Sequence, residues 1–576
     1  MLTARLFLCF GLEWVYMKHK IEQLIRDSIA TLQHSGEWLD FALPVIDVTR
    51  PKSETFGDYT SNIALVLAKF VGESPMEIAE VLKETILNLL DGGQDNNFEA
   101  QNGDVGSGLP RFARKDRVSK IEVVQPGYIN FTLKQEYFTE LVQGIVREQG
   151  EFGSIKTGAG KKVLIEFISA NPTGPIHLGN ARGGPSGDIL ANVLEKTGCN
   201  VDREYYVNDF GNQVRVLGHS ILKDEEAQYK GDYVDDLAIK LDSAHIAHTP
   251  VEVGFWAART ILDTIIKPTC EKAGIHFQNF FSERELHTSG AVDVVLQELK
   301  EKDLAYEQDN ALWFRSTQFG DDKDRVLVKS DDEKSKTYTA SDLAYHKNKL
   351  SRDYDLLINI QGADHLSQAA VVKRFVEDVL GAKDQLHLIV TQFVRIIKDG
   401  IEVKMSKRKG VYFAWDDLIE EVGRDAVRFI FASYAPTSHI DFDINVAREQ
   451  SNQNPVYYVQ YAHARIASIL RKASEMNFVA QQVDEYVWHE KEIALVRELA
   501  LFPELIEDIA RSYEVHRLPH YAIALADKFH SFYSACKVID EVHPNETAMR
   551  LKIVSATKIV LSETLRLIGV SAPEKM

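Results

Sequence analysis

Cysteine is scarce: the 576-residue chain holds four, Cys9, Cys199, Cys270 and Cys536. They lie far apart and make no CxxC pair or Cys/His cluster. That spacing excludes a disulfide framework and a zinc knuckle, so no protein-held metal and no zinc is expected, and a reducing, cytoplasmic setting fits best. Long apolar runs are missing as well, which leaves no segment able to span a bilayer and no membrane partner. The stretch Leu6 to Val15 is short, is interrupted by Glu13, and lacks both a basic lead and a small-residue cleavage site, so it does not read as a signal peptide. Positive charge is in deficit, with 66 Lys and Arg against 85 Asp and Glu, a formal charge of −19. A broad, sequence-blind attraction to nucleic acid is thereby excluded, although a local basic patch still serves a specific RNA. Internal repeats are absent.

What is present is the composition of a folded chain, 45% hydrophobic and 26% charged, long enough for about three or four domains. Met17 opens a helix whose Ile21, Leu24, Ile25, Ile29 and Leu32 share one face. Residues 1–16 before it read as an extension that need not be native. Residues 17–135 form an α+β module closing on the strand-like Ile129 to Leu133, with Asp91 to Arg117 as a long Gly/Asn/Asp-rich surface loop. From Lys162 the pattern changes. Val163 to Ile168 is a buried-strand run, a Pro/Gly-rich turn follows, a helix runs through Ile189 to Glu195 with Gly198 as its stop, and Val201 to Val207 returns to strand. Strand, glycine turn, helix and strand make the βαβ unit of a doubly wound sheet. A second such unit spans Leu356–Ile360, Ser367–Leu380 and Leu386–Val390. The fold class expected is α/β: a split Rossmann-type doubly wound parallel sheet over 160–450, interrupted by an insertion near 220–330. After Pro455 the sequence is helical, with Val459, Ala462, His463, Ile466 and Ile469 on one face, so 455–576 is expected to be an all-α helix bundle.

Two segments carry chemistry. Asn171-Pro172-Thr173-Gly174-Pro175-Ile176-His177-Leu178-Gly179-Asn180 joins a strand to a helix, where backbone N–H groups and the helix dipole favour phosphate. Gly179 permits close approach, and His177 is placed to donate to charge growing on a phosphate. A lone histidine at a glycine turn also serves structure. Lys404-Met405-Ser406-Lys407-Arg408-Lys409-Gly410 is a basic loop able to neutralise leaving phosphates, or simply an exposed charge run. Glu166, an acid inside an apolar strand, is either half of a core ion pair or the seat of a ligand cation.

Together the two segments resemble the paired HIGH and KMSKS signatures of class I aminoacyl-tRNA synthetases. Within that class the chain resembles the arginyl-tRNA synthetase family along almost its whole length. The segments that carry this are Gly57-Asp58-Tyr59-Thr60-Ser61-Asn62 and Pro126-Gly127-Tyr128-Ile129-Asn130 of an N-terminal tRNA-binding module, Glu166 to Gly184, Tyr206 to Gln213, Tyr457 to Arg465, and the ending Gly569-Val570 to Met576. The resemblance implies ligation of L-arginine to its cognate tRNA with ATP and Mg2+, by a monomer, through an arginyl-adenylate. It assigns catalysis to His177, Asn180, Lys404 and Lys407. ATP falls to Pro172, Thr173, Gly174, Pro175, His177, Gly179, Asn180, His365, Lys404, Met405, Ser406 and Lys407. Arginine falls to Glu166, Ser169, Asn171, His177, Tyr338, Asp342 and Gln361, where paired carboxylates suit a planar guanidinium. The tRNA falls to Tyr457, Tyr461, Arg465 and Met576, with 455–576 as the anticodon-binding domain. One departure is Asn180, which stands where the family's second signature histidine belongs; it still donates a hydrogen bond but carries no charge. Asp425 and Arg428, at helical spacing, read as a scaffold pair rather than catalysts.

Overall fold

The fold is that of a computed structural model, which describes residues 17–91, 117–241, 246–247, 249–403, 414–476, 478 and 486–576. The possible extension at 1–16, most of the loop expected over Asp91–Arg117, and Lys404, Met405, Ser406 and Lys407 lie outside the described residues.

The chain divides into two compact units. One gathers the residues up to Gly153 with Ile466–Glu504 and Asp527–Val560; the other gathers Ser154–Arg465 with Leu505–Ala526 and Leu561–Met576. In the first, the helix Met17–His34 buries Ile21, Leu24, Ile25, Ile29 and Leu32, the face that its spacing predicts. An antiparallel sheet runs Val48–Thr49, Tyr59–Ser61, Tyr128–Leu133, Val118–Val124 in spatial order. The Gly57-Asp58-Tyr59 segment turns inward here. The Asp58 carboxylate takes a hydrogen bond from the Leu133 amide at 2.7 Å and pairs with Arg497 at 2.6 Å, and the Tyr59 hydroxyl donates to Glu504 at 2.6 Å.

The second unit holds a five-stranded parallel sheet in the order Leu386–Thr391, Leu356–Gly362, Lys162–Glu166, Asn200–Val207, Asn279–Ser282. The chain begins at the centre, winds to one edge, then returns to build the other side. Its reversal lies between Lys162–Glu166 and Leu356–Gly362, the place where a doubly wound sheet opens a crevice at the carboxyl ends of its strands. The helix Gly183–Lys196 covers one face and packs tightly because it opens on small residues: a Cβ on Gly187 would meet the Phe167 ring at 2.4 Å. The stretch between the two βαβ units holds helices and also a three-stranded antiparallel sheet, Ala305–Gln308, Ala311–Phe314 and Arg325–Val328. Four long helices, Pro455–Glu475, Glu490–Ser512, Arg517–Ala535 and Pro544–Ile568, make up the C-terminal part.

Candidate active site

The crevice at the sheet reversal contains a cavity lined by Glu166, Tyr206, Asp342, Tyr345, His346, Asn359, Gln361, His365, Gln368, Ala369, Val372 and Leu388. Four residues singled out in the sequence, Glu166, Asp342, Gln361 and His365, therefore meet in one place. Glu166 ends its strand, Gln361 nears the end of the neighbouring one, and Asp342 sits in the helix Tyr338–Leu350. That helix starts at Thr337, whose hydroxyl caps the Ala340 amide.

Just past Glu166 the backbone bends through two left-handed residues, Ile168 at φ 67° and Ser169 at φ 42°. Non-glycine residues hold such angles only where the surroundings impose them. Here the bend lets the Ser169 hydroxyl donate to Glu166 Oε1 at 3.0 Å while it accepts the Tyr206 amide at 3.0 Å. The other Glu166 oxygen takes a hydrogen bond from Lys349, a fully buried lysine. Lys349 Nζ also donates to Asn359 Oδ1 at 2.9 Å, which fixes the amide so that its nitrogen donates to His346 Nε2 at 2.9 Å. His346 must then carry its proton on Nδ1, from which it donates to the Asp342 carbonyl at 2.9 Å. Burial, followed by the charge of Lys349, keeps this imidazole neutral, well below its usual range.

The Asp342 carboxyl is pushed up to about 7, first by burial and then by repulsion from Glu283 and Glu166, against the lowering effects of the Gln368 side-chain amide and Lys349. Glu283 is itself buried, with one oxygen 3.6 Å from His287 Nε2 and the other without a hydrogen-bond partner among the described residues. The Tyr206 hydroxyl is likewise buried and unpartnered there, and burial and then Glu283, Asp342 and Glu166 raise it well above the usual phenol range. Surplus negative charge and an unsatisfied hydroxyl around one cavity are what a cationic, hydrogen-bonding ligand would satisfy. The remaining sequence candidates lie at or outside this cavity. Tyr338 opens the helix that carries Asp342 and is half exposed, away from the lining.

The phosphate-type turn is built beside it. His177 precedes the short helix Leu178–Ala181, and its carbonyl accepts the Asn180 and Ala181 amides. Asn171 and Gly179 are exposed; Thr173, Gly174, Pro175, His177 and Asn180 are half-buried. The Thr173 carbonyl accepts the Tyr233 hydroxyl at 2.9 Å. The chain that brackets the lysine loop is placed at both ends. It enters from a hairpin with left-handed Asp399 and Gly400 at the tip, and it leaves at Ala414, which bridges His177 while the Trp415 amide donates to the Ile176 carbonyl at 2.9 Å. The flanking residues Val403 and Ala414 are thus tied to the fold, the first by a hydrogen bond to the Ile396 carbonyl and the second at His177.

Asp425 and Arg428 do not form the expected pair with one another; each serves structure through partners of its own. Arg428 binds Asp188 and the Ile568 and Ala273 carbonyls, while Asp425 binds Ser571 and Gln460. Tyr457 and Tyr461 stack at 6.3 Å, Arg465 donates to the Tyr461 hydroxyl at 2.6 Å, and Met576 is exposed. No group of three or more His, Cys, Asp or Glu fit to hold a metal occurs among the described residues.

Glu283, His346, Lys349, Asn359 and Gln368 are not expected from the sequence, and Tyr206 is expected only as the start of the Tyr206 to Gln213 segment. One signal is available: Asp342, His346 and Lys349 fall at i, i+4 and i+7, a polar stripe along one face of the helix Tyr338–Leu350.

The strand reversal with its cavity, and the His177 turn bridged to Ala414, are features expected of a class I aminoacyl-tRNA synthetase. The model for "tRNA synthetases class I (R), catalytic domain" matches residues 141–244, "Arginyl tRNA synthetase N terminal domain" matches 19–90, and "DALR anticodon binding domain" matches 459–576. The chain is 38% identical to arginine–tRNA ligase 1 of Halalkalibacterium halodurans, covering 97% of this chain and 100% of that one. It is also 38% identical to arginine–tRNA ligase of Bacillus subtilis, covering 97% and 99%. The solved Thermus thermophilus arginyl-tRNA synthetase shares the fold at a TM-score of 0.72 and 20% identity, covering 97% of this chain and 100% of that one. The chain belongs to the arginyl-tRNA synthetase family. It activates L-arginine with ATP, releasing pyrophosphate, and transfers the arginyl group to tRNA.

Proposed function

We propose that the Glu166–Asp342 cavity is the arginine pocket of this ligase and that the His177 turn, with residues 404–407, is its ATP site. The observation that carries this reading is the convergence of two carboxylates from different elements on one cavity. A guanidinium is planar and forks its donors, so two carboxylates with fixed orientation can read it where a lysine ammonium would satisfy only one of them well. Asn171 and Gln361 then hold the amino-acid backbone, Ser169 orients Glu166, and Tyr338 closes over or beside the bound guanidinium. Pro172, Thr173, Gly174, Pro175, Gly179 and His365 surround ATP, and its phosphates bring magnesium with them.

In the first step an arginine carboxylate oxygen attacks the α-phosphorus and the bond to pyrophosphate breaks. His177 and Asn180 donate to the charge that grows on the α-phosphate, while Lys404 and Lys407, with Met405 and Ser406 between them, meet the leaving phosphates. In the second step a terminal ribose hydroxyl of the tRNA attacks the arginyl carbonyl carbon and AMP departs. Positioning supplies most of the acceleration, and no covalent enzyme intermediate is needed. Tyr457, Tyr461, Arg465 and Met576 contact the tRNA; an aromatic pair beside an arginine suits unpaired bases. Scattered buried thiols support a cytoplasmic site of action, and the enzyme works as a monomer.

The test is steady-state pyrophosphate exchange with tRNA present. Glu166→Gln and Asp342→Asn should raise the arginine KM and spare that of ATP, whereas His177→Ala should lower the activation rate far more than it weakens tRNA binding. Equal losses in rate and tRNA affinity for His177→Ala would make that residue structural.

A further inference from the structure

We infer that Lys349 is a positioning residue for arginine recognition, acting through a buried chain that runs from Glu166 by way of Asn359 and His346 to the backbone at Asp342. The inference rests on the assignment of Glu166 and Asp342 to the guanidinium.

Lys349 is completely buried, and so long a cation is rarely found in a core without a task. Its three ammonium hydrogens have a Glu166 oxygen and Asn359 Oδ1 as acceptors, and the Tyr345 ring lies 4.2 Å away. Each link in the chain has a fixed direction. Lysine can only donate, so the Asn359 oxygen faces Lys349 and its amide nitrogen faces His346. His346 is left one acceptor and one donor, and it gives the donor to the Asp342 carbonyl. The chain crosses three elements, the strands Lys162–Glu166 and Leu356–Gly362 and the helix Tyr338–Leu350. It therefore links the Glu166 carboxylate to the backbone that carries Asp342, through His346 and Asn359, which themselves line the cavity wall.

Glu166 presents two oxygens, and Ser169 and Lys349 each hold one of them. A carboxylate gripped at both oxygens cannot rotate when the pocket empties, so its plane stays ready for a guanidinium. Preorganisation of this kind strengthens binding by removing an ordering cost. Charge matters as well. The acidic and phenolic groups facing this centre are Glu204, already bound by Arg352 and the Tyr345 hydroxyl, together with Glu283, Asp342, Tyr206 and Tyr345. Lys349 is the cation that lowers Asp342 against the two acids that raise it.

Lys349→Gln keeps a hydrogen-bond donor and removes the charge. It should raise the arginine KM about tenfold or more, the usual weight of a charge-assisted hydrogen bond, with kcat changed by less than about threefold and the ATP KM unchanged. It should also move the acid limb of kcat/KM for arginine to higher pH, because Asp342 loses its favourable cation; a residue that serves only packing would not move that limb. Placed on top of Glu166→Gln, the same substitution should add less than about a twofold loss, since the two share one interaction. Asn359→Leu, similar in size, cuts the chain but leaves the charge. It should raise the arginine KM while the acid limb stays in place, and it carries the test should Lys349→Gln fail to fold.

An unchanged arginine KM in both variants, a parallel rise in the ATP KM, or full additivity with Glu166→Gln would overturn the role of Lys349. Failure of Glu166→Gln and Asp342→Asn to raise the arginine KM would instead overturn the assignment of the pocket.

Discussion

Asp342 is a carboxyl poised at about 7, held up mainly by burial and then by Glu283 and Glu166. A guanidinium needs its ionised form. Below pH 7 each unit of acid should therefore weaken arginine binding about tenfold, and above it the affinity should level off; equilibrium binding at a series of pH values checks this, and a flat profile through pH 6 would contradict it. Ser169 offers a milder probe. Ser169→Ala keeps the left-handed bend and loses the grip on Glu166, at a cost of about 1 kcal/mol, a roughly fivefold rise in arginine KM. Residues of this kind differed in how clearly the sequence announced them. Glu166 stood out as an acid inside an apolar strand. Lys349 did not, because a lysine in a helix ordinarily reads as solvated, and only its register with Asp342 and His346 reveals a polar stripe turned inward.

Among the elements, the helix Gly183–Lys196 that follows the His177 turn is anchored by charge. Asp188 sits between Arg203 at 3.1 Å and Arg428 at 2.5 Å, and Arg428 also binds the carbonyl of Ile568 at the end of the last helix. Gly569 must follow with φ at 75°, since a Cβ there would lie 2.2 Å from the guanidinium. Arg428→Ala leaves Asp188 and several carbonyls short of a partner and should destabilise the protein by about 3 kcal/mol or more, read as a lowered thermal midpoint. Arg395→Ala, which removes an exposed pair with Asp441, should leave the midpoint almost unchanged. The two βαβ units were legible because their strands are apolar runs closed by glycine and proline. The antiparallel sheet over Ala305–Val328 was not, since its strands have four residues each, too few periods to stand apart from charged turns.

At the scale of the whole molecule, arginine, proton and fold are linked. A carboxyl raised from 3.8 to about 7 on folding binds its proton more tightly when native, so it supports the empty protein below pH 4 and opposes it progressively as pH rises toward 7. On the proposed assignment of Asp342 to the guanidinium, arginine reverses that penalty by pairing with the ionised form. The thermal shift produced by a fixed excess of arginine should accordingly grow from pH 6 to pH 8, while the shift produced by ATP should follow no such trend. The overall plan was readable from the pairing of His177 with the lysine loop and from the helical turn of the sequence after Pro455; the direction in which each buried group donates was not, because it depends on contacts between elements far apart in the chain. The central claim, that the Glu166–Asp342 cavity reads arginine, is tested most directly by arginine-dependent pyrophosphate exchange in the presence of tRNA, compared between the wild type and Asp342→Asn and repeated with lysine. The account predicts exchange with arginine and not lysine, and an arginine KM raised about tenfold or more in the variant; equal exchange with lysine, or an unchanged arginine KM in Asp342→Asn, would contradict it.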